Sequence, residues 1–477
     1  MTARFTRRRF IKLGAIAGAA LSLPFVVARF ADAVESFDAA TAKEFGASLK
    51  GRLMLPSDKG YDSARKIWNP RYDKHPAMIA RCASTEDVAR SIEFARKHEL
   101  AVSVRSGGHD QAGFSTNDGG MVIDLSGLKI ITVDPDRKTA TVGGGTLVGE
   151  LYRAVAASGM GVVSGGCHSV GVGGLTLGGG QSALSNKYGL ACDNVISMEV
   201  VTAEGQVMTA NSVDHADLFW GLRGGSGNFG IVTKFKYRLI PIDRVVVAGA
   251  TYPIGQRREV LRFFREFLAA APEDLTAEAE FGFPYPAGVF GIGGVYCGKV
   301  TEAKRVLKPL TSFGRPLGST SKVVPFVEGV SEEEPPKLAN YEKSWNFPTL
   351  TDQAVDDLSD HLENSPPVFQ VGIFDMRGAA CRSEAAYPVR KPGLNSWSWG
   401  FWRSEAERKS VTAWIDQLSS AMTKYVDGVY VNDLDADEGE ARIRSAYGAS
   451  YERLVAVKNK YDPANFFRMN QNIKPAD

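Results

Sequence analysis

The most constraining feature of this chain is a glycine-dense stretch from Ser164 to Gln181, with the sequence SGGCHSVGVGGLTLGGGQ. Eight of its eighteen residues are glycine, none is Asp, Glu, Lys or Arg, and Cys167 stands next to His168. Glycine loses more backbone freedom on folding than any other residue, so a dense cluster is costly to order. The stretch therefore indicates a place where the backbone closely approaches another group.

A second glycine loop lies upstream, from Val104 to Gly113, with the sequence VRSGGHDQAG. Like the first stretch, it embeds a nucleophilic side chain, His109, among bare backbone amides. Successive exposed N–H groups form nests that bind anions. The two loops predict a site for a cofactor with two phosphates and a large flat ring, although plain turn architecture remains an alternative interpretation of each loop.

A third glycine segment, Gly225 to Gly230, satisfies the GxGxxG pattern of nicotinamide-dinucleotide sites. That fingerprint needs a strand before it and a helix after it, because the helix N-terminus meets the pyrophosphate. The residues that follow, IVTKFKYRL, alternate apolar with basic side chains and predict a strand. We therefore expect no Rossmann site at this segment.

The N-terminus has the layout of a cleaved export signal, with a basic head, an apolar run and a small-x-small end at Ala31 to Ala33. The segment from Thr6 to Lys12, TRRRFIK, is similar to the twin-arginine pattern that addresses folded, cofactor-loaded proteins to export from bacteria. Cleavage near Ala33 would give a periplasmic or extracellular protein, with the twin-arginine export machinery as a partner. A membrane anchor is the alternative, although the apolar run is shorter than the roughly 20 residues of a span.

Charge and cysteine content exclude several classes of function. The first 33 residues hold six basic groups and one acid. The net charge of the whole chain is +2, so the residues after 33 carry a net charge of −3. A mildly acidic protein has no electrostatic reason to bind nucleic acid or anionic lipid.

The cysteines, which are Cys82, Cys167, Cys192, Cys297 and Cys381, contain no CxxC pair, so we expect no metal site. Their odd number is explained if one of them is bonded to a cofactor.

Element patterns along the chain predict an α+β protein. STEDVARSIEFARKHEL, at 84–100, has a helix N-cap, early acids and helical apolar spacing, and AVSVRSGGH at 101–109 predicts a strand that enters a glycine turn. Longer strands and helices replace the glycine loops between about residues 243 and 429, which indicates a second domain.

Several motifs, taken in chain order, resemble the berberine bridge enzyme-like branch of the FAD-linked oxidases. The resemblance runs from about residue 70 to the end of the chain. The motifs are RSGGH at 105–109, GCHSVGVGG at 166–174, YGLACDNV at 188–195, DLFWGLRGGSGNFGIVTKFKY at 217–237, YVN at 430–432 and YERLVAVKNKYDPANFFRMNQNI at 451–473.

The resemblance implies a fold of the α+β class, with a two-part PCMH-type FAD-binding domain and a substrate domain built on an antiparallel sheet covered by helices. Together with the export-signal pattern at the N-terminus and the change of pattern near residue 243, it gives the expected domain bounds. These are a twin-arginine signal peptide at 1–33, an N-terminal segment at 34–72, the FAD-binding domain at 73–242, the substrate-binding domain at 243–429, and a C-terminal segment at 430–477 that returns to the FAD domain.

The cofactor implied by the resemblance is FAD, bonded to His109 at the 8α-methyl of the isoalloxazine ring and to Cys167 at ring position C6. Cysteine reacts as the thiolate, so its surroundings must favour loss of the thiol proton. His168 is one candidate acceptor of that proton, and a polar surface role is the alternative. The other implied cofactor-binding residues are Arg105, Ser106, Gly107, Gly108, Val170, Gly171, Gly173, Gly174, Ile231, Asn432 and Gln471.

The implied reaction moves hydride from a carbon bearing oxygen or nitrogen to flavin N5, while a base takes the hydroxyl or amine proton. The reduced flavin then converts oxygen to hydrogen peroxide. Asp433 and Tyr430 are the implied catalytic residues, with Asp433 as the base. Many relatives carry Tyr at that position, and the ordinary pKa values differ widely, roughly 4 for Asp against 10 for Tyr. A solvated loop charge is the alternative role for Asp433.

The resemblance leaves the substrate open, because relatives accept oligosaccharides, alkaloids and other natural products. Arg390 and the aromatic residues Trp397, Trp399, Phe401 and Trp402 are candidates for the substrate side. The period-two tryptophans fit a strand that stacks on sugar or aromatic ligands, or equally a half-buried strand.

Two rival functions remain at this stage. One is a dehydrogenase that passes electrons to a quinone or another carrier instead of oxygen. The other is a flavin-binding or ligand-binding protein without turnover. The presence of a base near the ring argues against this second alternative.

Overall fold

The computed structural model describes residues 38–377, 384–389 and 391–476. The predicted signal peptide, Cys381 and Arg390 lie outside these described residues. None of the helices within these ranges is long and apolar enough to cross a lipid bilayer. Three sheets with helices between them form the described part of the chain, which confirms the α+β class.

The first sheet carries the upstream glycine loop at the end of a strand. Its strands are β1 (Arg52–Met54), β2 (Met78–Arg81), β3 (Val102–Arg105) and β4 (Met121–Asp124), in the order β1-β2-β4-β3, with helices α1 (Ala39–Ser48), α2 (Tyr61–Ala64) and α3 (Thr85–Lys97). Helix α3 begins as predicted, because the Ser84 side chain accepts the Asp87 N–H and caps the first turn. Strand β3 pairs in parallel with β4 and ends at Arg105, directly before the glycines.

The second sheet is antiparallel and five-stranded. Its strands are β5 (Ile131–Asp134), β6 (Thr139–Gly143), β7 (Val195–Val201), β8 (Val207–Asn211) and β9 (Ile231–Arg238), in the order β5-β6-β9-β7-β8, with helices α4 (Val148–Ala156), α5 (Val172–Gly178), α6 (Ser185–Tyr188) and α7 (Ala216–Gly221). The GxGxxG segment lies between helix α7 and strand β9. The expected strand therefore follows the glycines, and the geometry is not that of a Rossmann turn.

The third sheet is antiparallel, seven-stranded and covered by helices on one face. Its strands are β10 (Arg244–Pro253), β11 (Leu275–Gly282), β12 (Val289–Tyr296), β13 (Gly318–Pro325), β14 (Ala339–Phe347), β15 (Phe369–Asp375) and β16 (Leu394–Trp402), in the order β13-β10-β12-β11-β15-β16-β14. Its helices are α8 (Arg257–Ala270), α9 (Val300–Ser312), α10 (Phe326–Gly329), α11 (Asp352–Leu362) and α12 (Glu405–Met422). Side chains from α8, α9, α11 and α12 share one apolar core with the sheet.

Strand β11 shows how this sheet separates its two faces. Side chains of a strand alternate between faces, so residues two apart lie on the same side. Ala277, Ala279 and Phe281 belong to the helix-covered core. Glu278 and Glu280 therefore project from the opposite, open face, where their carboxyl groups avoid the apolar core.

The C-terminal segment packs against the second sheet. After a short 3-10 turn at Val431–Asp433, its helices are α13 (Glu440–Tyr447) and α14 (Tyr451–Tyr461), and Leu454 lies in the core of the second sheet. The Lys458 ammonium forms a 2.6 Å ion pair with Asp462, and both side chains are fully buried. Lys458 also donates to the Asn228 carbonyl at 2.9 Å, which fixes the segment to the turn before β9.

Candidate active site

One cavity of about 550 Å³ collects the residues that the sequence singles out. The two glycine loops bound it on one side, and the open face of the third sheet bounds it on the other. Of the residues predicted to be catalytic or to bind the cofactor directly, all except Arg105 line the cavity, namely Ser106, Gly107, Gly108, His109, Cys167, Val170, Gly171, Gly173, Gly174, Ile231, Tyr430, Asn432, Asp433 and Gln471.

Arg105 lies behind the cavity wall. Its guanidinium forms a buried ion pair with Asp124 at 2.8 Å. Asp124 in turn accepts the Ser126 N–H at 2.9 Å, so the pair fixes the ends of strands β3 and β4 to each other. A Cβ at Gly108, which has a φ of +71°, would stand 3.3 Å from the Arg105 side chain. Arg105 therefore supports the loop from behind the cavity wall, while its buried Nη1 has no hydrogen-bond partner among the described residues.

The two glycine loops touch each other through their backbones. A Cβ on Gly107 would lie 2.3 Å from the Gly171 nitrogen, and one on Gly171 would lie 2.2 Å from the Gly107 nitrogen. The Ser106 hydroxyl donates to the Gly144 carbonyl at 2.6 Å and accepts the Gly173 N–H at 3.4 Å. Part of the glycine requirement therefore comes from packing of one loop on the other.

The cavity wall beside these loops fits the pyrophosphate of FAD. Among the hydrogen bonds of the described residues, none is donated by the main-chain N–H groups of Gly107, Gly108 or His109. Such groups need an acceptor when they are buried, and a phosphate supplies it. A Cβ on Gly174 would meet no atom within 4 Å, so this glycine leaves open space inside the cavity. Seven lining side chains also carry buried polar atoms without a hydrogen-bond partner among the described residues: Gln111, Ser115, Gln181, Glu342, Asn395, Trp399 and Asn470.

The His109 imidazole is held by contacts that define its tautomer. Its Nε2 lies 3.0 Å from the Ser169 hydroxyl, which donates to a Glu334 carboxylate oxygen at 2.6 Å. Since a carboxylate only accepts, the Ser169 oxygen is left to accept the Nε2–H of His109, and Nδ1 keeps its lone pair. Burial lowers the pKa of His109 to about 4, with Glu334 opposing the shift. The ring, stacked on Trp68 at 4.2 Å, is therefore neutral near pH 7 and nucleophilic at Nδ1.

Cys167 faces a carboxylate and not the neighbouring imidazole. Its thiol donates to Glu332 at 3.7 Å. Burial, followed by the charges of Glu332 and Glu334, raises the pKa of the Cys167 thiol well above its ordinary value. The His168 Nε2 instead lies 2.6 Å from the Ser331 hydroxyl. The side chain placed to accept the thiol proton is thus Glu332, which sequence analysis missed.

Tyr430 and Asn432 hold the C-terminal turn against the second glycine loop. The Tyr430 hydroxyl accepts the Gly180 N–H at 2.8 Å and the Asn432 amide at 2.7 Å. Burial raises the pKa of Tyr430 well above its ordinary value, so the phenol stays protonated. Gln471 donates to the Leu434 carbonyl at 3.1 Å and fixes the other end of the turn. These contacts suit positioning and not proton abstraction.

Asp433 differs from the acids that surround it in the sequence. Its carboxyl lines the cavity, and burial raises its pKa to about 7, although Ser344 and Asn395 partly offset that rise by hydrogen bonding. The nearby acids are paired with bases: Asp435 with Arg71 at 2.8 Å, and Asp437 and Glu438 with Lys343 at 2.9 Å. A solvated loop charge therefore does not describe Asp433.

The open face of the third sheet, together with the segment between α10 and β14, adds acidic and polar side chains that sequence analysis missed. They are Glu278, Glu280, Glu332, Glu342 and Gln370. The alternation of Glu with Ala in LTAEAEFG, at 275–282, was an available signal, because it predicts a strand with one polar face. Glu342 gave no such signal, since its neighbours in the run YEKSWN are mostly polar.

The aromatic residues of strand β16 divide between the two faces of the sheet. Trp397 and Trp399 line the cavity. Trp402 packs instead in the helix-covered core. A Cβ on Gly372 would lie 2.2 Å from the Trp397 ring, so this glycine on the neighbouring strand makes room for the indole. Trp397 and Trp399 therefore face the cavity, whereas Trp402 is part of the core, and stacking on a ligand stays a prediction for the first two.

Two family models match the chain. One, described as an FAD binding domain, matches residues 76–211. The other, described as berberine and berberine like, matches residues 429–474. The first match contains both glycine loops, and the second contains the turn that carries Asp433.

Relatives of known sequence or structure agree with these matches. The uncharacterised FAD-linked oxidoreductase YgaK of Bacillus subtilis is 32% identical over 90% of this chain and 97% of its own length. The crystal structure of 6-hydroxy-D-nicotine oxidase from Arthrobacter nicotinovorans has a TM-score of 0.83 and 27% identity, covering 90% of this chain and 99% of that one. A glucooligosaccharide oxidase from Acremonium strictum, described with a 6-S-cysteinyl, 8α-N1-histidyl FAD, has a TM-score of 0.81 and 22% identity, covering 91% and 99%. The last likeness concerns the fold alone.

Proposed function

The chain belongs to the berberine bridge enzyme-like family of FAD-linked oxidases, and on that premise we propose that it removes hydride from a carbon bearing oxygen or nitrogen and forms hydrogen peroxide. FAD bound in the cavity supplies the hydride acceptor and passes the electrons on to oxygen. The observation that carries the proposal is that a carboxyl with a pKa of about 7, on Asp433, shares one cavity with His109 and Cys167.

Asp433 is the base in this proposal. Near neutral pH it is partly ionised, so it can accept the proton of a substrate hydroxyl or amine that approaches within hydrogen-bond reach. Tyr430 and Asn432 hold the turn that carries it, and their hydrogen bonds to each other and to Gly180 restrict its movement. A base fixed in this way loses little orientation entropy when the substrate binds.

His109 and Cys167 are the proposed attachment residues. The neutral His109 ring presents Nδ1 as a nucleophile, because Ser169 and Glu334 occupy its Nε2 side. Glu332 is placed to take the proton of the Cys167 thiol. Each new bond replaces one hydrogen on the flavin and one on the protein nucleophile, a two-electron oxidation for which oxygen is the acceptor. The doubly attached FAD of the Acremonium oxidase is a precedent in the same fold.

We expect the purified, flavin-loaded protein to lose its visible flavin absorbance when it is mixed anaerobically with a substrate. The panel should include sugars, alcohols and amines, because the family membership leaves these classes open. On admission of air, the absorbance should return with one hydrogen peroxide per substrate oxidised. Bleaching without peroxide in air would instead indicate a dehydrogenase, and a protein that no compound bleaches would contradict turnover.

We also propose that residues 1–33 direct export through the twin-arginine machinery. The motif TRRRFIK and the small residues around Ala33 support this assignment. A chain recovered from the periplasm or the medium of a bacterial host should begin near Val34, as measured by intact mass. Full-length protein found only in the cytoplasm would contradict it.

A further inference from the structure

The lining of the cavity is strongly acidic. Its acidic part, which we call the acidic wall, consists of Glu278, Glu280, Glu332, Glu342 and Asp433. No Lys or Arg is found among the described residues that line the cavity. A set of carboxyl groups without a basic partner is electrostatically unfavourable inside a protein unless a ligand brings positive charge.

Strand register brings three of these carboxyl groups to one face. Glu278 and Glu280 are two residues apart on β11, so they share the open face. Glu342 on β14 pairs directly with Trp399 on β16. Gln370 on β15 also pairs with Trp399, and its amide donates to Glu280 at 3.0 Å. The two ends of the acidic wall are thus linked across four adjacent strands.

Glu342 is the member of the acidic wall that most clearly lacks a partner. Glu342 is only 1% exposed to solvent, yet neither of its carboxyl oxygens has a hydrogen-bond partner among the described residues. Burial and the neighbouring Asp433 carboxyl raise the pKa of Glu342 well above its ordinary value, and the nearby Trp399 indole, which does not reach hydrogen-bond geometry, opposes this rise only in part. Asn395, which is fully buried and lines the same cavity, has an amide oxygen that also lacks a partner. These oxygens are acceptors that need a donor.

Aromatic faces accompany the carboxylates. Trp397 and Trp399 line the cavity from the same strand, and Phe374 lines it from β15. A cation over the face of an indole gains electrostatic energy from the ring quadrupole, by roughly 0.5 to 2 kcal/mol. Carboxylates combined with indoles are the surroundings in which proteins bind organic ammonium groups.

We propose that the substrate is an organic cation, an amine or ammonium compound, whose charged group binds between the acidic wall and the two tryptophans. The inference rests on the proposed function, since it concerns the same site. An ammonium group offers only donors and one positive charge, which matches unpaired acceptor oxygens and uncompensated carboxylates. A carboxylated or phosphorylated substrate would meet repulsion from ionised members of the acidic wall, and a neutral sugar would bring no positive charge to stabilise them.

The test compares a cation with its uncharged isostere on the flavin-loaded protein. The probes are (2-methoxyethyl)trimethylammonium and 1-methoxy-3,3-dimethylbutane, which have the same shape and no O–H or N–H to be deprotonated. Binding is measured by calorimetry and by the change in flavin absorbance. We expect the cation to bind at least tenfold more tightly than the isostere. Equal binding of the two, or tighter binding of the isostere, would overturn the inference.

Two variants keep the test independent of folding. Glu342→Gln and Glu280→Gln each remove one carboxyl group that a bound cation would stabilise in its ionised form, so each should weaken cation binding at least tenfold and leave the isostere unaffected. Glu302→Gln, on the exposed surface of α9, is the matched control and should change neither. Unchanged cation binding in both cavity variants would overturn the inference. Flavin reduction by neutral alcohols, with no preference for amines, would do the same while leaving the proposed oxidase activity intact.

Discussion

Replacing both His109 and Cys167 by alanine is expected to release all of the flavin when the protein is denatured in acid. Either single replacement should leave the flavin attached through the remaining residue. The reason is that each side chain faces the cavity and has its own neighbour that prepares it for bond formation. Ser169 hydrogen-bonds to the His109 ring, and Glu332 accepts the hydrogen bond of the Cys167 thiol. The measurement is the flavin mass found on peptides that contain position 109 or 167.

Two further variants separate attachment from general effects. Cys297→Ser removes another thiol, which donates to the Asp274 carbonyl far from the glycine loops in sequence, and should leave both attachments intact. Ser169→Ala should reduce attachment at position 109 several-fold, because the tautomer with a free Nδ1 loses its support. Covalent flavin in the double alanine variant would refute the assignment of the two residues.

Replacing Asp433 by asparagine is expected to slow anaerobic flavin reduction by about 10² to 10⁴, the range usual for loss of a general base. An amide is nearly isosteric with the carboxyl, so the cavity keeps its shape while proton acceptance is lost. Flavin content should remain that of the unmodified protein, since Asp433 is not an attachment residue. Stopped-flow absorbance at saturating substrate measures the rate.

The pH dependence of the same rate gives a second readout. The active form of Asp433 is the carboxylate, and burial raises the pKa of this group to about 7. The rate should therefore fall tenfold per pH unit below about 7 and become constant above it. Tyr430 also faces the cavity, but burial raises its pKa well above its ordinary value, so its phenol remains protonated there.

Asp437→Asn is the matched control for this prediction. Asp437 lies in the same acidic run, but it is half-exposed and paired with Lys343, which keeps Glu438 as a second partner. Its rate and pH profile should equal those of the unmodified protein. A flat pH profile in the unmodified protein, or a full rate in Asp433→Asn, would show that another group takes the proton.

Local patterns were sufficient wherever neighbouring residues decide the structure. Helix α3 was predictable from the Ser84 cap and the early acids, because capping is satisfied within one turn. The strand after Gly230 was predictable from its alternation of apolar and basic residues. The family motifs added the cofactor and most of the cavity lining, since these motifs are continuous stretches of backbone.

Arg105 and His168 show where local patterns fail. Arg105 belongs to the RSGGH motif, but its partner is Asp124 on a parallel strand, so it turns away from the cavity. His168 is adjacent to Cys167 in sequence, yet Glu332 is the acceptor at the thiol. In both cases the partner comes from another segment of the chain, and the spacing of residues in the sequence does not predict it.

The sequence by itself determined the fold class, the two glycine loops and the family, because these depend on backbone conformation and on continuous motifs. Only the tertiary structure decided which charges meet in the cavity. Glu280 and Glu342 come from strands that are separated by long stretches of chain, and sheet order alone brings them to one face. Electrostatic energy depends on distance in space and on burial, so the substrate side could be recognised only after the chain was folded.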